Sequence, residues 1–308
     1  MEELEIIRHR RIDGISLFFD TVDYRTPHFH PEWELIWITE GALSIRLGPE
    51  GCVGTAGDLF LFHPGKLHEF CCVRPGATFL CLQISPPVFD KVCPGFGRLV
   101  TGDYRVNPYF DGESCAALRR ELLEMARDYL ERPPLFELRC TGRGALLLAR
   151  LLSELPCHTM SAEEQASTKM KNARLARFIR FVDENYARKI RLADFAAAEG
   201  CSVSYLSRFL KASLNQTFQD YVNAVRFRSA CKLMAGGGMK MLDICEEAGF
   251  SDYRYFSAAF RKQSGMTPEE HSRQVSVPDE TVRYNLHSRE RFYTGEQSLL
   301  LLEKLRPD

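Results

Sequence analysis

Through the first third of the chain, apolar residues come in short runs, some alternating with polar positions and some continuous. The runs are Ile15–Val22, Glu34–Thr39, Leu43–Leu47, Leu59–Phe62, Glu69–Val73 and Thr78–Ile84, separated by Gly41, Gly48-Pro49, Gly57-Asp58, Pro64-Gly65 and Pro75-Gly76. Short strands at regular spacing with Gly and Pro turns predict a β-barrel or jelly roll over residues 1 to about 100. From about Glu113 the period lengthens: Leu118, Leu122, Met125 and Tyr129 form one helical stripe. Pro133-Pro134 interrupts it, and Leu138, Leu146, Leu147, Leu151 and Leu155 predict a second helix, so that residues 113–155 read as an αα-hairpin beside the barrel. Residues 1–155 thus read as one domain, and 156–170, with Ser, Thr, Glu and Gln, as an interdomain linker.

Beyond the linker the pattern is helical and it repeats. Residues 200–221 recur in register at 249–271: Tyr205 matches Tyr255, Leu206 Phe256, Ser207 Ser257, Leu210 Phe260, Lys211 Arg261 and Thr217 Thr267. In the first copy, Leu192–Glu199 is a helix with Phe195 inward, and Gly200 ends it. Ser202 caps the next helix, whose stripe is Leu206, Phe209, Leu210 and Leu214 before Asn215 stops it. In the second copy, Asp243–Ala248 precedes Gly249, Ser251 or Asp252 caps, Phe256 and Phe260 face inward, and Gly265 stops. Thr217 opens a long helix through about Leu233 that joins the copies, and Thr267-Pro268-Glu269-Glu270 opens one more with a capping box. Each copy is a helix-turn-helix, and together they form an all-α domain over residues 171–275.

Composition changes this picture only through charge and cysteine. The net charge of −1 conceals an asymmetry, since residues 169–273 hold 18 Lys and Arg against 11 Asp and Glu, leaving 22 against 30 elsewhere. A basic module on an acidic body suits a nucleic-acid partner. No stretch is apolar enough to span a membrane, and the acidic Met1-Glu2-Glu3-Leu4-Glu5 start lacks a signal-peptide core, so a cytoplasmic location is expected. The eleven Cys show no paired C-x-x-C spacing, and most lie in apolar runs, as reduced buried thiols would.

Residues 172–273 resemble the DNA-binding domain of AraC/XylS-type transcriptional regulators. The most specific match is Gly249-Phe250-Ser251-Asp252, Tyr255-Phe256-Ser257, Phe260-Arg261-Lys262 and Gly265-Met266-Thr267-Pro268. The exposed faces of the two recognition helices carry Ser204, Ser207, Arg208 and Lys211 in the first unit, and Tyr253, Arg254, Ser257, Arg261 and Lys262 in the second. Arg208 is the best base reader, because a guanidinium can bridge guanine O6 and N7. Ala258 departs from the family, which often has Arg there; the second unit is expected either to read bases weakly or to read a thymine methyl, and to keep its positioning by phosphate contacts from Arg261 and Lys262.

In the amino-terminal half, His28-Phe29-His30-Pro31-Glu32-Trp33-Glu34 with Gly41 has the spacing H-x-H-x3-E-x6-G. Gly57-Asp58 followed by Gly65-Lys66-Leu67-His68 completes a second motif, and the pair is similar to the two motifs of the cupin fold. His28, His30, Glu34 and His68 stand at the positions that hold one ion in metal-binding cupins. Two readings stay open: a divalent transition metal, or an effector pocket lined by His28, His30, Glu34, Trp37 and His68 that receives a hydroxyl or carboxylate.

The combined expectation is a two-domain α+β protein with a cupin-like barrel, an αα-hairpin and a double helix-turn-helix. The resemblance implies a transcriptional regulator, not an enzyme, that binds promoter DNA under the control of a small-molecule effector. It also implies homodimerisation through the hairpin and activation through RNA polymerase. The alternatives are a metal-dependent cupin enzyme fused to a DNA-binding domain and a ligand-independent dimeric DNA-binding protein. Residues 276–308 extend past the family pattern; Val277-Pro278-Asp279 reads as a turn and Leu299–Leu305 as a short amphipathic helix, with no function assigned.

Overall fold

A computed structural model describes residues 11–73, 76–274 and 282–305; the acidic start, Pro75 and the Val277-Pro278-Asp279 turn lie outside them. The described chain divides into two compact units, one of residues 11–46, 51–172 and 290–305, the other of 47–50, 173–274 and 282–289.

The first unit is a curled antiparallel sheet. Its strands are β1 (Ile15–His28), β2 (Trp33–Glu40), β3 (Ala42–Leu47), β4 (Glu50–Thr55), β5 (Leu59–Phe62), β6 (His68–Cys72) and β7 (Ala77–Ile84), in the order β4-β3-β6-β1-β7-β2-β5. β1 is longer than its apolar run because it pairs first with β7, along Ile15–Val22, and then with β6, where His28 meets His68. That second half, Asp23-Tyr24-Arg25-Thr26, is polar and gives no apolar signal. β4 was not expected either; with two glycines and a mostly exposed surface, it survives as an edge strand.

The two-residue period of β2 and β7 separates two faces. Trp33, Leu35 and Trp37 join Leu80, Leu82 and Ile84 in a core shared with two helices, α1 (Gly112–Glu131) and α2 (Phe136–Glu154). Glu34 and Gln83, which pair across the ladder, occupy the opposite face. Asp111 caps α1 by accepting from the Ser114 amide at 2.7 Å. The hairpin is present, but Leu138 and Leu146 do not face inward: they are 69% and 71% exposed. The buried face of α2 is Cys140, Gly144, Leu147, Leu148 and Leu151. Gly144 belongs there because a Cβ at that place would lie 2.8 Å from Ile84 Cδ1.

The expected linker is ordered. Cys157–Thr159 forms β9, which pairs with β8 (Leu99–Thr101), and α3 (Ala162–Asn185) begins three residues later. Its start is a capping box, with the Ser161 amide donating to Glu164 Oε2 at 2.7 Å and the Glu164 amide to Ser161 Oγ at 3.2 Å.

The second unit continues from α3 with α4 (Leu192–Ala198), α5 (Val203–Leu214), α6 (Phe218–Gly236), α7 (Met241–Glu247), α8 (Tyr253–Ser264) and α9 (Pro268–Gln274). Ser202, Thr217 and Asp252 cap α5, α6 and α8, and Asn215 and Gly265 close α5 and α8 with positive φ. Leu206, Leu210 and Leu214 are buried, as are Phe256 and Phe260, whereas Phe209 is only half-buried. α6 joins the two helix-turn-helices and buries Val222 and Val225.

Past α9, the described chain forms β10 (Val282–Tyr284), β11 (Ser288–Phe292) and α10 (Gly295–Lys304). β10 pairs with β11 and β11 with β1. The expected tail helix exists but starts four residues earlier, where Thr294 and Gln297 form a capping box, and Leu302 enters the core beneath the hairpin.

No described helix is long and apolar enough to cross a membrane. All eleven cysteines are free; Cys81, Cys115, Cys140, Cys231 and Cys245 are buried as expected, while Cys71, Cys93 and Cys157 are exposed. Partial desolvation of the sulfur atoms, with the charges of Glu69 beside Cys71 and Asp23 beside both, pushes the neighbouring Cys71 and Cys72 thiols up, the latter to about 11, so neither is poised as a thiolate although Cys71 as a residue is exposed.

Candidate functional site

Three of the four barrel residues converge. His30 follows β1, Glu34 sits on β2 and His68 opens β6, and one ligand atom from each lies within 4.8 Å of the others. All three are buried. Glu34 Oε2 is 2.7 Å from His30 Nε2 and accepts from Gln83 Nε2 at 2.8 Å, and Glu34 Oε1 is 3.7 Å from His68 Nε2. Burial by itself raises a carboxyl; here the charge and hydrogen bond of His30, the charge of His68 and the Gln83 amide outweigh it and hold Glu34 at about 2. Burial lowers His68 to about 4, and it lowers His28 well below the usual range, with help from His68, Arg25 and His30.

His28 lies beside this group rather than in it. Its ring is 4.1 Å from that of His68, but its Nδ1 is fixed to the Thr26 carbonyl at 2.9 Å. His68 Nδ1 is likewise fixed to the Lys66 carbonyl at 2.8 Å. A carbonyl only accepts, so in both rings Nδ1 carries the proton and Nε2 presents a lone pair. The interior therefore gathers acceptors: the Glu34 carboxylate and two imidazole nitrogens. His68 Nε2 is buried without a hydrogen-bond partner, and Phe62, stacked on the ring at 4.6 Å, keeps it in place.

Trp37 is not part of this group. The pleat that points Glu34 toward His30 points Trp33, Leu35 and Trp37 into the core under α1 and α2. Two neighbours were missed. Gln83 orients Glu34, and a lone amide in the otherwise apolar Phe79–Ile84 was a readable signal. Glu32, 3.5 Å from His30 Nδ1, sets a second carboxylate against that ring.

In the helical unit, α5 exposes Ser204, Ser207, Arg208 and Lys211, and α8 exposes Arg254, Arg261 and Lys262, with Ser257 half-buried. Among the described residues, the Arg208 guanidinium has no hydrogen-bond or ion-pair partner, which leaves its donors for an incoming ligand. Three of the expected contacts are already engaged. Lys211 Nζ donates to the Asn215 carbonyl at 3.1 Å, Lys262 Nζ pairs with Asp220 of α6 at 2.7 Å, and the Tyr253 hydroxyl donates to Glu269 of α9. Tyr253 therefore fixes α8 to α9, and Lys262 must exchange Asp220 for a phosphate.

A network behind α5 was not foreseen. Glu199 receives Arg174 at 3.1 Å and Arg177 at 2.6 Å, and Arg174 also donates to the Tyr205 hydroxyl at 2.7 Å. It locks the start of α5 to α3. Its sequence signal is slight, because the partners lie 22 to 31 residues apart.

A family model described as an AraC-like ligand binding domain matches residues 12–164, and one described as a helix-turn-helix domain matches residues 195–274. The "Uncharacterized HTH-type transcriptional regulator YbfI" of Bacillus subtilis is 25% identical over 227 residues, 73% of this chain and 78% of that protein. The "HTH-type transcriptional activator RhaR" of Salmonella schwarzengrund is 27% identical over 254 residues, 80% of this chain and 87% of its own. Among solved structures, ToxT from Vibrio cholerae O395 aligns over 86% of this chain and 99% of its own at 11% identity, with a TM-score of 0.41. A superposition that loose carries no functional argument.

Proposed function

The chain belongs to the AraC-type family of transcriptional regulators, and from that premise we propose how its parts divide the work. It is a DNA-binding regulator with an amino-terminal ligand-binding domain. Its effector enters the barrel and meets the cluster of His30, Glu34 and His68. The observation that carries this reading is the acceptor character of the cluster, with His68 Nε2 facing Glu34 Oε1 at 3.7 Å. Two buried acceptors face one another at low cost only when a donor lies between them. The effector class is therefore one that brings hydroxyl or amino hydrogens. Of the hydroxyl and carboxylate expected from sequence, the hydroxyl fits this lining and a bare carboxylate does not.

One observation favours a second reading. Two imidazoles and a carboxylate within 4.8 Å are a donor set for a divalent transition metal. His30, Glu34 and His68 would hold it; the Thr26 bond leaves His28 Nε2 with a lone pair, and His28 would join only if its ring shifted toward the group. The metal would supply a Lewis acid or a structural tie. The rival of a metal-dependent enzyme tethered to DNA rests on this donor set alone, so a sensor without catalysis is the reading preferred.

Thermal unfolding of the full chain with polyols, amines or divalent metals separates these cases. A bound ligand at about 100 times its Kd adds about 2.7 kcal/mol to the native state. His68→Ala is expected to abolish the shift. A wild-type midpoint that responds to none of these probes would leave the barrel as a dimerisation platform only.

The helical unit reads the operator. Arg208→Ala is expected to cost roughly 1–3 kcal/mol and to relax specificity at one or two base pairs, whereas Arg261→Ala weakens all sequences about equally. Equal losses on specific and random duplexes for Arg208→Ala would remove it from base reading. Homodimerisation through the hairpin is supported by the exposed Leu135, Leu138 and Leu146. Activation is supported by the activator name of one relative, with contact to RNA polymerase as the route proposed for it, and a cytoplasmic location is supported by the DNA-binding function.

A further inference from the structure

We propose that Tyr205 and Tyr255 are positioning residues for base reading, each fixing through its hydroxyl the rotation of one recognition helix. The proposal rests on α5 and α8 being the helices that read the operator. All the residues concerned belong to the helical unit.

The two tyrosines hold equivalent places in the repeat, and each is the third residue of its helix. The cap holds the main chain of each: the Tyr205 amide donates to Ser202 Oγ at 3.2 Å and the Tyr255 amide to Asp252 Oδ1 at 2.8 Å. A cap fixes where a helix begins. The buried stripe of each helix fixes its rotation only coarsely, because apolar packing is non-directional. A hydrogen bond from the side chain supplies the direction.

At Tyr205 this tie runs to α3. Arg174 Nη1 donates to the hydroxyl at 2.7 Å, its guanidinium lies 5.3 Å from the ring centroid, and its Nε donates to Glu199 Oε2 at 3.1 Å. Arg177 holds the same carboxylate through Nε and Nη2 at 2.6 and 2.8 Å. At Tyr255 the tie runs to α6. The hydroxyl donates to Asn223 Oδ1 at 2.9 Å, and Gln219 Nε2 donates to that oxygen at 3.0 Å and to the hydroxyl at 3.3 Å. Arg174 precedes its tyrosine by 31 residues and Asn223 by 32, so α3 stands to the first helix-turn-helix as α6 stands to the second. The chemistry differs for a local reason. Glu199 closes α4, whereas Ala248 closes α7 at the matching place. Alanine cannot anchor a cation, and the second unit uses neutral amides where the first uses an ion pair.

Residues three apart on a helix are neighbours on one face. Arg208 follows Tyr205 by three, so a shift at the hydroxyl turns its guanidinium relative to the base edges. Bidentate base contacts demand that geometry, while phosphate contacts carry no sequence information. The tyrosine hydroxyls therefore govern preference for the operator rather than affinity for DNA in general. Ala258 holds the matching place after Tyr255 and makes no bidentate bond, so less depends on the second tyrosine.

The test uses the full chain and an operator selected from random duplex DNA by the wild-type protein. Tyr205→Phe keeps the ring and loses the hydroxyl. Its operator affinity is expected to fall about fivefold to tenfold, with binding to random duplex changed by less than about twofold. Arg174→Lys keeps the charge but loses the fork that joins Glu199 to the hydroxyl, and it should shift the two affinities in the same way. The double variant should lose little more than either single one, because both break one tie. Tyr255→Phe should cost the operator only about twofold. Wild-type operator affinity in Tyr205→Phe overturns the proposal. So does an equal loss on operator and random duplex, the result of a purely structural role, and so do additive losses in the double variant. If Tyr205→Phe fails to fold, Arg174→Lys decides on the same two affinities. A wild-type protein that selects no sequence would overturn base reading itself and the tie with it, whereas a selected operator bound alike by wild type and Tyr205→Phe overturns the tie alone.

Discussion

Operator affinity of the full chain is expected to fall by ~10³ or more between 50 and 200 mM salt. The basis is electrostatic. Residues 169–273 carry a surplus of seven basic side chains, and Arg208 and Lys211 on α5 and Arg254, Arg261 and Lys262 on α8 are exposed. Two recognition helices with capped amino-termini add amide donors for phosphate. If such groups engage on the order of 6–10 phosphates, counterion release sets a slope of that size. The Lys262–Asp220 pair changes the estimate little, because exposed ion pairs contribute about 0–1 kcal/mol and yield to a phosphate. Fluorescence anisotropy across a potassium chloride series measures the slope. A slope near zero, or no binding to any promoter fragment, would sink the DNA-binding reading.

Replacement of Gly249 by Ala is the single substitution expected to damage the molecule most. Gly249 has φ +84°, and a Cβ there would lie 2.5 Å from the Tyr186 carbonyl oxygen and 2.7 Å from Ala187 Cα. Both neighbours are backbone, and the backbone is held: Arg226 donates from Nε to the Tyr186 carbonyl at 2.8 Å and from Nη2 to the Arg188 carbonyl at 2.9 Å. The clash cannot relax by rotation of a side chain. Left-handed strain and steric overlap together set a cost of about 3 kcal/mol or more. The loss should concentrate in α7 and α8, where Phe250 packs on Phe256 at 5.1 Å. Gly236→Ala is the control, since a Cβ there meets nothing within 4 Å. Denaturant unfolding with hydrogen exchange of α8 reports both. Equal stability of the two variants would show that the Gly249 turn is not constrained as described.

Local patterns fixed much of what function requires. The copies at 200–221 and 249–271 place two turns, two caps and two recognition helices, because helix stops need glycine or asparagine in a left-handed conformation and starts need a side-chain acceptor. The H-x-H-x3-E spacing and the later His68 located the polar interior, because strand positions two apart share a face. Failures occurred where local signals were absent or equivocal. The polar half of β1 and the glycine-containing β4 form by pairing with neighbours remote in sequence. Trp37 was placed in the lining of the effector pocket, although its parity with Trp33 puts it on the face of β2 opposite Glu34. Leu138 and Leu146 look like core residues by type, yet the face of α2 that meets the sheet is chosen by Gly144, whose small size permits the approach to Ile84.

The sequence by itself determined the classes of the two units and which residue types could meet DNA or an effector, because periodicity, caps and motif spacing act within one or two turns of chain. Only the tertiary structure decided that His28 stands aside with its Nδ1 on Thr26, that Gln83 orients Glu34, and that Tyr253 and Lys262 are already engaged. It alone placed Glu290 against Arg25, 265 positions earlier in the chain. A hydrogen bond or ion pair across such a separation leaves no periodic trace, since the closing of the fold, and not the neighbouring residues, selects the partner.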